Sequence, residues 1–242
     1  MYINGDLNVV QSPGVIRPTT LLTEDTGKIF EMAICLVYGI PYQGNYKYSM
    51  DLAHKLQLRL SKLLDLFPMC SHTAKNGARY DFTSLADNTR HLSAKSSKGK
   101  VGKVAPQVIG QAMPKYFCEI IGINFTTIPH LKQYIQTNIV DILPILINYT
   151  FDCPNIYYNL SKDAILFISL NIQILWHNYH FIWTQNHLQW KNSSTLKLLH
   201  LGSYFTLLEW QFHSKNRFNM TIRWNYDNLI LFFKHAFSII HI

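Results

Sequence analysis

The chain has 242 residues, of which 48% are hydrophobic and 15% are charged, and its formal net charge is +8. This composition predicts a folded protein with a sizeable core and argues against intrinsic disorder. The longest apolar stretch, from Ala164 to Trp176, contains Asn171 and Gln173 and is too polar to span a bilayer, and the N-terminus lacks the pattern of a secretory signal. We therefore expect a cytoplasmic protein with no membrane partner.

The positive charge is concentrated in one part of the sequence. Between Pro68 and Lys103 there are seven basic and two acidic residues, which account for five of the eight net positive charges. Such a concentration attracts polyanions, nucleic acids among them, because binding releases their counterions. A solvated basic loop is the alternative interpretation.

The first half of the sequence begins with an irregular arm and two helices. Residues 1–22 contain two glycines and two prolines without a sustained period, which predicts an irregular N-terminal arm. From Thr23 to Gly39 apolar residues recur at helical spacing, and this predicts a helix with Glu31 near its middle. Leucines at intervals of three and four predict a second helix from Ser49 to Phe67.

Two short strands follow these helices. Met69 to Leu85 is interpreted as a β-hairpin that turns at Asn76-Gly77, because this pair suits a tight turn with positive φ. Asp81 then lies on one face of the returning strand, opposite its aromatic neighbours. A further strand is predicted from about Arg90 to Lys95.

The rest of the chain adds two helices and then strands. A flexible basic loop at Lys98 to Lys103 precedes a predicted helix from Val104 to Ile121, and another helix is predicted from Ile128 to Ile147. The predicted later strands are Ala164 to Leu170, Gln173 to Trp183, Tyr204 to His213 and Met220 to Trp224. The predicted fold class is α/β (α+β), with a mixed central sheet flanked by helices and a β-rich C-terminal half.

Asp81 and Lys95 are the residues in this pattern that suggest chemistry. Cleavage of a phosphodiester needs a divalent cation to polarise the phosphate, together with a cation or acid near the developing charge. Because side chains alternate along a strand, Ser93 and Lys95 share a face, and Asp81 can meet them from the neighbouring strand. We therefore expect the three side chains to converge.

The arrangement resembles the core of the PD-(D/E)xK nucleases. In that superfamily a helix with a glutamate precedes the catalytic strands, and the segment Thr26 to Glu31 is similar to this helix signature. The resemblance covers about Thr23 to Gly122, and the segments Val104 to Gln111 and Leu208 to Trp224 look like parts of type II restriction endonucleases. It implies a restriction-endonuclease-like core, double-stranded DNA as substrate, Mg2+ as cofactor and recognition of a short site. It also implies a prokaryotic source and a cognate DNA methyltransferase as functional partner, and a homodimer is possible.

The resemblance assigns roles to particular residues, with two departures. Tyr80 stands where the family often has proline, and Ser93 stands where it has a carboxylate, which is the better magnesium ligand. The expected catalytic residues are Asp81, Lys95, Glu31 and Ser93. The expected metal ligands are Asp81, the backbone carbonyl of Ala94, and Glu31 or Glu119 as a replacement for the missing acid, with Glu31 preferred.

Basic and amide side chains are the candidates for DNA contact, since they pair with phosphates and base edges. They are Arg90, Lys98, Lys100, Lys103, Gln107, Gln111, Gln211, His213, Lys215 and Arg217. The expected organisation is the arm (1–22), a nuclease core (23–149), and a β-rich half (150–242) that completes the sheet and contributes to recognition. A catalytically degenerate DNA-binding protein on the same fold is the alternative function, and a structural or interaction protein without salt-dependent DNA affinity is the third.

Overall fold

The computed structural model describes residues 23–75, 78–99, 102–104, 114–125, 127–171, 187–192, 194–213 and 219–242. The helices are α1 (Thr23–Tyr38), α2 (Met50–Gln57), α3 (Leu63–Leu66), α4 (Pro114–Ile121), α5 (Ile128–Thr137), α6 (Ile139–Thr150) and α7 (Tyr226–Phe232). The strands are β1 (Cys70–His72), β2 (Phe82–Ser84), β3 (His91–Ser97), β4 (Lys103–Val104), β5 (Asn155–Asn159), β6 (Ala164–Leu170), β7 (Leu188–Lys191), β8 (Thr195–His200), β9 (Ser203–His213), β10 (Asn219–Asn225) and β11 (Phe237–His241). None of the described helices has the length and apolarity needed to cross a membrane.

The first sheet is mixed and has the strand order β1-β2-β3-β5-β6-β11. Its central pair, β3 and β5, is parallel, while its other neighbouring strands are antiparallel. Helices α1 to α3 precede β1, and α6 leads into β5. The predicted fold class, a mixed α+β arrangement with a central sheet, is confirmed.

Helix α1 packs against one face of this sheet. Ile29, Phe30 and Ala33 are buried in one apolar cluster with Phe82 of β2 and Leu92 of β3. Gly27 brings the start of the helix close to β3, since a Cβ atom there would lie 3.5 Å from Ser96 Oγ. The apolar periodicity of α1 is therefore what fixes its position on β2 and β3.

Strand β5 lies between two apolar clusters. Ile156 and Tyr158 join the cluster under α1, while Tyr157 points into a second cluster that contains Trp210 and Trp224. All five residues of β5 are buried. A strand that is covered on both faces is typical of the centre of a mixed or parallel sheet.

The second sheet is antiparallel in its described pairings, with the order β4-β10-β9-β8-β7. Its inner face belongs to the second cluster and packs against α5 and α6. Trp224 Nε1 donates a hydrogen bond of 3.1 Å to Thr150 Oγ1 at the end of α6, and Trp190 Nε1 donates one of 3.3 Å to the carbonyl of Gln136 in α5. The opposite face carries polar side chains.

The predicted second helix is interrupted between α2 and α3. Leu58 is 82% exposed, whereas Leu60 and Leu63 are fully buried. A continuous helix would have to keep all its leucines on one stripe, so the chain turns after Gln57 to bury the later ones. Predicting one helix from Ser49 to Phe67 was therefore wrong at its middle.

Two other predicted helices differ from the structure. Val104 belongs to β4, where it pairs with Trp224, so the prediction of a helix beginning at this residue was wrong. The helix predicted from Ile128 to Ile147 is divided at Asn138, whose side chain donates to the Tyr134 carbonyl and so ends α5. The turn predicted at Asn76-Gly77 and the strand predicted from Gln173 to Trp183 lie outside the described residues.

Candidate active site

Asp81 lies immediately before β2, beside the middle of β3. The two strands pair antiparallel with Phe82 opposite Leu92, which places Asp81 next to Ser93. Asp81 is only 2% exposed, and its Oδ2 accepts hydrogen bonds from the Ala94 amide at 2.7 Å and from Lys95 Nζ at 3.1 Å. The structure thus brings together the two residues that the sequence pattern singled out.

Lys95 is nearly as enclosed as its partner. Its side chain is 10% exposed and that of Asp81 is 3% exposed. A charged pair withdrawn from water is costly unless its members bond to each other, and removal of one member leaves the other uncompensated. The cation of Lys95 is therefore held in a poorly hydrated position, where its charge acts strongly on nearby groups.

The face of the sheet around this pair is polar. Thr83 Oγ1 contacts Thr73 Oγ1 at 3.2 Å and His91 Nδ1 at 3.1 Å. Because alternate residues share a face, His91, Ser93 and Lys95 lie on the same side of β3. Thr83 and His91 are half-buried, so β2 and β3 present polar side chains on the face that carries Asp81.

Ser93 is buried and bonded into the sheet. It is 6% exposed, and its amide donates to the Pro154 carbonyl at 3.0 Å. The thiol of Cys153 lies beside it, and burial, together with the charges of Asp152 and Asp81, raises the pKa of this thiol to about 12 despite a hydrogen bond from Ser93. Cys153 therefore stays a neutral thiol and does not replace the carboxylate that Ser93 lacks.

Glu31 lies in a different network, on the side of the sheet that faces α1. Its carboxylate is 3.0 Å from Lys28 Nζ, 3.4 Å from the Tyr42 hydroxyl and 3.4 Å from His72 Nε2. His72 is the cross-strand neighbour of Phe82, whose side chain faces α1, whereas Asp81 alternates to the other face. The structure does not bring Glu31 to Asp81.

The Glu31 network holds the carboxylate in its charged form. The Gln43 amide donates to His72 Nδ1 at 2.8 Å, and this bond holds the ring with its Nε2 3.4 Å from the Glu31 carboxylate. Burial raises the pKa of the Glu31 carboxyl, but the hydrogen bond from His72 and the charge of Lys28 outweigh it, so the pKa lies below its usual value. This network accounts for Glu31 without a metal.

Glu119 also lies apart from Asp81. It is on α4 and lines a cavity whose other lining residues all lie between 118 and 125, with none from β2 or β3. No group of three histidine, cysteine, aspartate or glutamate residues that could hold a metal ion occurs in the described part of the chain. Asp81 is thus the acid that the structure offers at this site, and Ala94 contributes its amide nitrogen to it.

The donor set fits magnesium only with help from a substrate. Mg2+ is commonly held by one or two carboxylates, with water and substrate phosphate oxygens as its other ligands. Asp81 Oδ2 is engaged by two donors, and the hydrogen bonds of this residue in the described structure leave Oδ1 available. Asp81 therefore supplies the single carboxylate that is the minimum for such a magnesium site, next to the enclosed ammonium group of Lys95.

The candidate DNA-contact residues fall into three groups. Lys103 is exposed on β4 and pairs with Glu209 of β9 at 2.6 Å, and Gln211 is half-buried on the same strand. Arg90 is exposed, with its guanidinium 6.0 Å from the Phe67 ring, and Lys98 is half-buried at the end of β3. The remaining candidates lie outside the described residues, or have side chains outside them, and they are Lys100, Gln107, Gln111, His213, Lys215 and Arg217.

Sequence analysis did not single out Asp152, which contacts the two residues before Asp81. Asp152, between α6 and β5, forms an ion pair with Arg79 and accepts a hydrogen bond from the Tyr80 hydroxyl, and these two residues immediately precede Asp81. Its position two residues before Pro154, which immediately precedes β5, was the available sequence signal. It gave no indication of which other strand Asp152 would reach, because that depends on the parallel pairing of β3 and β5.

A mixed sheet flanked by helices, with a buried Asp-Lys pair on adjacent strands, is consistent with a restriction-endonuclease-like core. In sequence, the chain is 40% identical over 222 residues to the type II restriction enzyme CviAII of Paramecium bursaria Chlorella virus 1. The match covers 90% of this chain but 63% of that enzyme, so the chain spans less than two thirds of its relative's length. The resemblance to type II restriction endonucleases is thereby confirmed, while no family model and no solved structure matches the chain.

Proposed function

We propose that this chain is a type II restriction endonuclease, a hydrolase that cuts double-stranded DNA at a short specific sequence with Mg2+ as cofactor. The similarity to a type II restriction enzyme supports the class of reaction. The observation that carries the proposal to particular residues is the enclosed contact between Asp81 and Lys95. Asp81 and Lys95 are the proposed catalytic residues, with Ser93 beside them.

Each residue of the pair has a distinct task in the proposed reaction. Asp81 would hold the magnesium ion together with a phosphate of the DNA, and the ion would supply Lewis-acid polarisation of that phosphate. Hydrolysis replaces one bridging P–O bond with a bond to a water oxygen, and negative charge grows on the phosphate oxygens. Lys95 offsets this charge from a site where water does not screen it. The Ala94 amide keeps Asp81 turned toward β3.

The outer face of the second sheet is the proposed surface for the DNA backbone. Arg223 is the cross-strand neighbour of Glu209, which also pairs with Lys103, and Thr195 and Lys191 continue this row across the sheet. Basic side chains outnumber acidic ones along the row. A basic stripe on a sheet face suits contacts with successive phosphates.

The experiment is magnesium-dependent cutting of plasmid DNA by Asp81→Ala and Lys95→Ala proteins. Both substitutions are expected to abolish cutting while DNA binding persists. Lys162→Ala is the matched control, because Lys162 forms another Lys-Asp pair, with Asp227 at 2.8 Å, away from Asp81. Cutting at the normal rate by either Asp81→Ala or Lys95→Ala would refute the assignment.

A catalytically degenerate DNA-binding protein is the second candidate, and Ser93 favours it. This buried position lacks the expected carboxylate, and the described structure brings neither Glu31 nor Glu119 to it. Ser93→Glu distinguishes the two functions if the variant remains folded. If the parent protein is inactive and Ser93→Glu cuts DNA, the parent is a degenerate nuclease. If the parent is active and Ser93→Glu cuts no faster, the enzyme does not need a carboxylate at this position.

The broader organisation also stays a proposal. We propose a nuclease core over 23–149 that is completed by strands from 150–242, of which β5, β6 and β11 lie in the first sheet. The N-terminal arm lies outside the described residues. A cytoplasmic location, a prokaryotic source, a homodimer and a partner DNA methyltransferase remain predictions from the family resemblance.

A further inference from the structure

Asp152 forms the centre of a cluster at the edge of the active site. It follows α6 and comes three residues before β5, and its side chain is 30% exposed. Its Oδ2 is 2.5 Å from an Arg79 guanidinium nitrogen and accepts a hydrogen bond of 2.6 Å from the Tyr80 hydroxyl. A single carboxylate oxygen thus binds two residues that are adjacent in sequence.

These two residues directly precede Asp81, at a point where the chain is not yet part of β2. The strand begins at Phe82, so Asp81 lacks the regular ladder on its N-terminal side. The Asp81 carbonyl accepts one hydrogen bond of 2.8 Å from the Thr73 amide. Besides the Ala94 amide and Lys95, which bond to its carboxylate, the contacts that hold Arg79 and Tyr80 therefore contribute to the orientation of Asp81.

The cluster links this segment to two other elements. The Tyr80 ring stacks on His91 of β3, with ring centroids 3.9 Å apart and planes within 6° of parallel. The Arg79 guanidinium lies 3.7 Å from the centre of the Tyr149 ring in α6, a cation-π arrangement. Tyr80 is consequently fixed by its ring to β3 and by its hydroxyl to Asp152.

We infer that Asp152 is a positioning residue for the proposed nuclease site, which holds Arg79 and Tyr80 so that Asp81 faces Lys95 and the metal. The inference rests on the proposed function. Partners that orient a metal-binding carboxylate are commonly worth a tenfold or larger factor in metal affinity, because a ligand that wanders loses its preorganisation. Asp152 acts in this way through hydrogen bonds and does not touch the substrate or the ion.

The decisive comparison uses Asp152→Asn and Tyr80→Phe. Tyr80→Phe keeps the ring on His91 and removes only the hydroxyl that donates to Asp152. Asp152→Asn is expected to raise the Mg2+ concentration needed for half-maximal cutting by about tenfold or more. Tyr80→Phe is expected to raise this concentration too. Calcium binding by the full chain, measured by calorimetry, is expected to weaken in parallel.

Asp163→Asn is the matched control. Asp163 pairs with Arg59 on the surface, so this variant also loses an Arg-Asp ion pair. It is expected to leave the magnesium requirement and calcium affinity unchanged, and thermal unfolding of each variant measures its loss of stability. A general loss of stability is thereby separated from a loss of positioning.

Three outcomes would overturn the inference or the proposal beneath it. Unchanged magnesium requirement and calcium affinity in both Asp152→Asn and Tyr80→Phe would remove the positioning role. An effect of Asp152→Asn that Tyr80→Phe does not share would mean that the Tyr80 hydroxyl takes no part in the positioning. Full cutting by Asp81→Ala would instead remove the proposed function itself, whatever Asp152 does.

Discussion

Replacement of Asp81 by asparagine separates the structural role of its charge from the proposed catalytic role. Asparagine has nearly the same shape, and its amide oxygen can still accept the hydrogen bond from the Ala94 amide. It cannot neutralise Lys95, whose side chain is 10% exposed. We therefore expect Asp81→Asn to fold, with lower stability and without magnesium-dependent cutting.

The size of the stability loss follows from the burial of the pair. Breaking a fully buried pair costs about 3–5 kcal/mol, whereas an exposed pair contributes at most about 1 kcal/mol. Because Lys95 can move its long side chain toward water and the Ala94 bond survives, a loss of about 2 kcal/mol is expected. For a chain of this size that corresponds to a Tm lower by about 4–8 °C.

The catalytic loss should be larger. If Asp81 holds the magnesium ion as proposed, withdrawal of its charge would remove several kcal/mol of transition-state stabilisation, and about 4 kcal/mol corresponds to roughly a thousandfold slower cutting. Thermal unfolding and single-turnover plasmid cutting measure the two effects. Asp227→Asn, which breaks the more exposed Lys162 pair, is the control and should cost less than about 1 kcal/mol. An Asp81→Asn protein with the parental Tm and cutting rate would refute the reasoning.

Three further predictions concern other parts of the molecule. Because the pKa of Glu31 is lowered in the folded state, its charge stabilises the fold at pH values above 4.5, and this contribution is lost as the pH falls. In urea unfolding, the free energy of unfolding of Glu31→Gln should therefore fall less steeply with decreasing pH, and a profile like that of the parent would contradict the network. Gly102 and Gly39 both have positive φ, but a Cβ at Gly102 would lie 2.8 Å from a side-chain oxygen and one at Gly39 meets nothing within 4 Å. Gly39→Ala should thus cost about 1 kcal/mol and Gly102→Ala clearly more in thermal unfolding, and equal losses would contradict the crowding. If the outer face of the second sheet follows the DNA backbone, Arg223→Ala should reduce the slope of log affinity against log salt by about one, while Lys55→Ala on α2 should not; equal slopes would exclude that face.

The contact between Asp81 and Lys95 was predictable because it depends on local rules. Alternation along β3 places Lys95 on a defined face, and a nearby strand places Asp81 beside it. The position of Glu31 was not predictable in the same way. Helical spacing identifies the buried stripe of α1, but which strand residues the helix meets depends on how the whole cluster with Phe82 packs.

Long-range pairing explains what the sequence did not reveal. Asp152 reaches Tyr80 across 72 positions of sequence, through the parallel pairing of β3 with β5. Val104 continued an apolar pattern that suits a helix, yet it pairs as a strand with Trp224 because the second sheet offers it an edge. Strands of the C-terminal half with clear β-propensity, such as Ala164–Leu170, were predictable with their observed bounds.

Digestion of a plasmid of known sequence, with Mg2+ or with a chelator, tests the central proposal most directly. The ends of the fragments would be mapped to single nucleotides. Sequence-specific hydrolysis predicts discrete fragments whose ends share one short sequence, formed with Mg2+ and absent with the chelator. A plasmid that stays intact at every Mg2+ concentration, although the chain is folded and binds DNA, would contradict it.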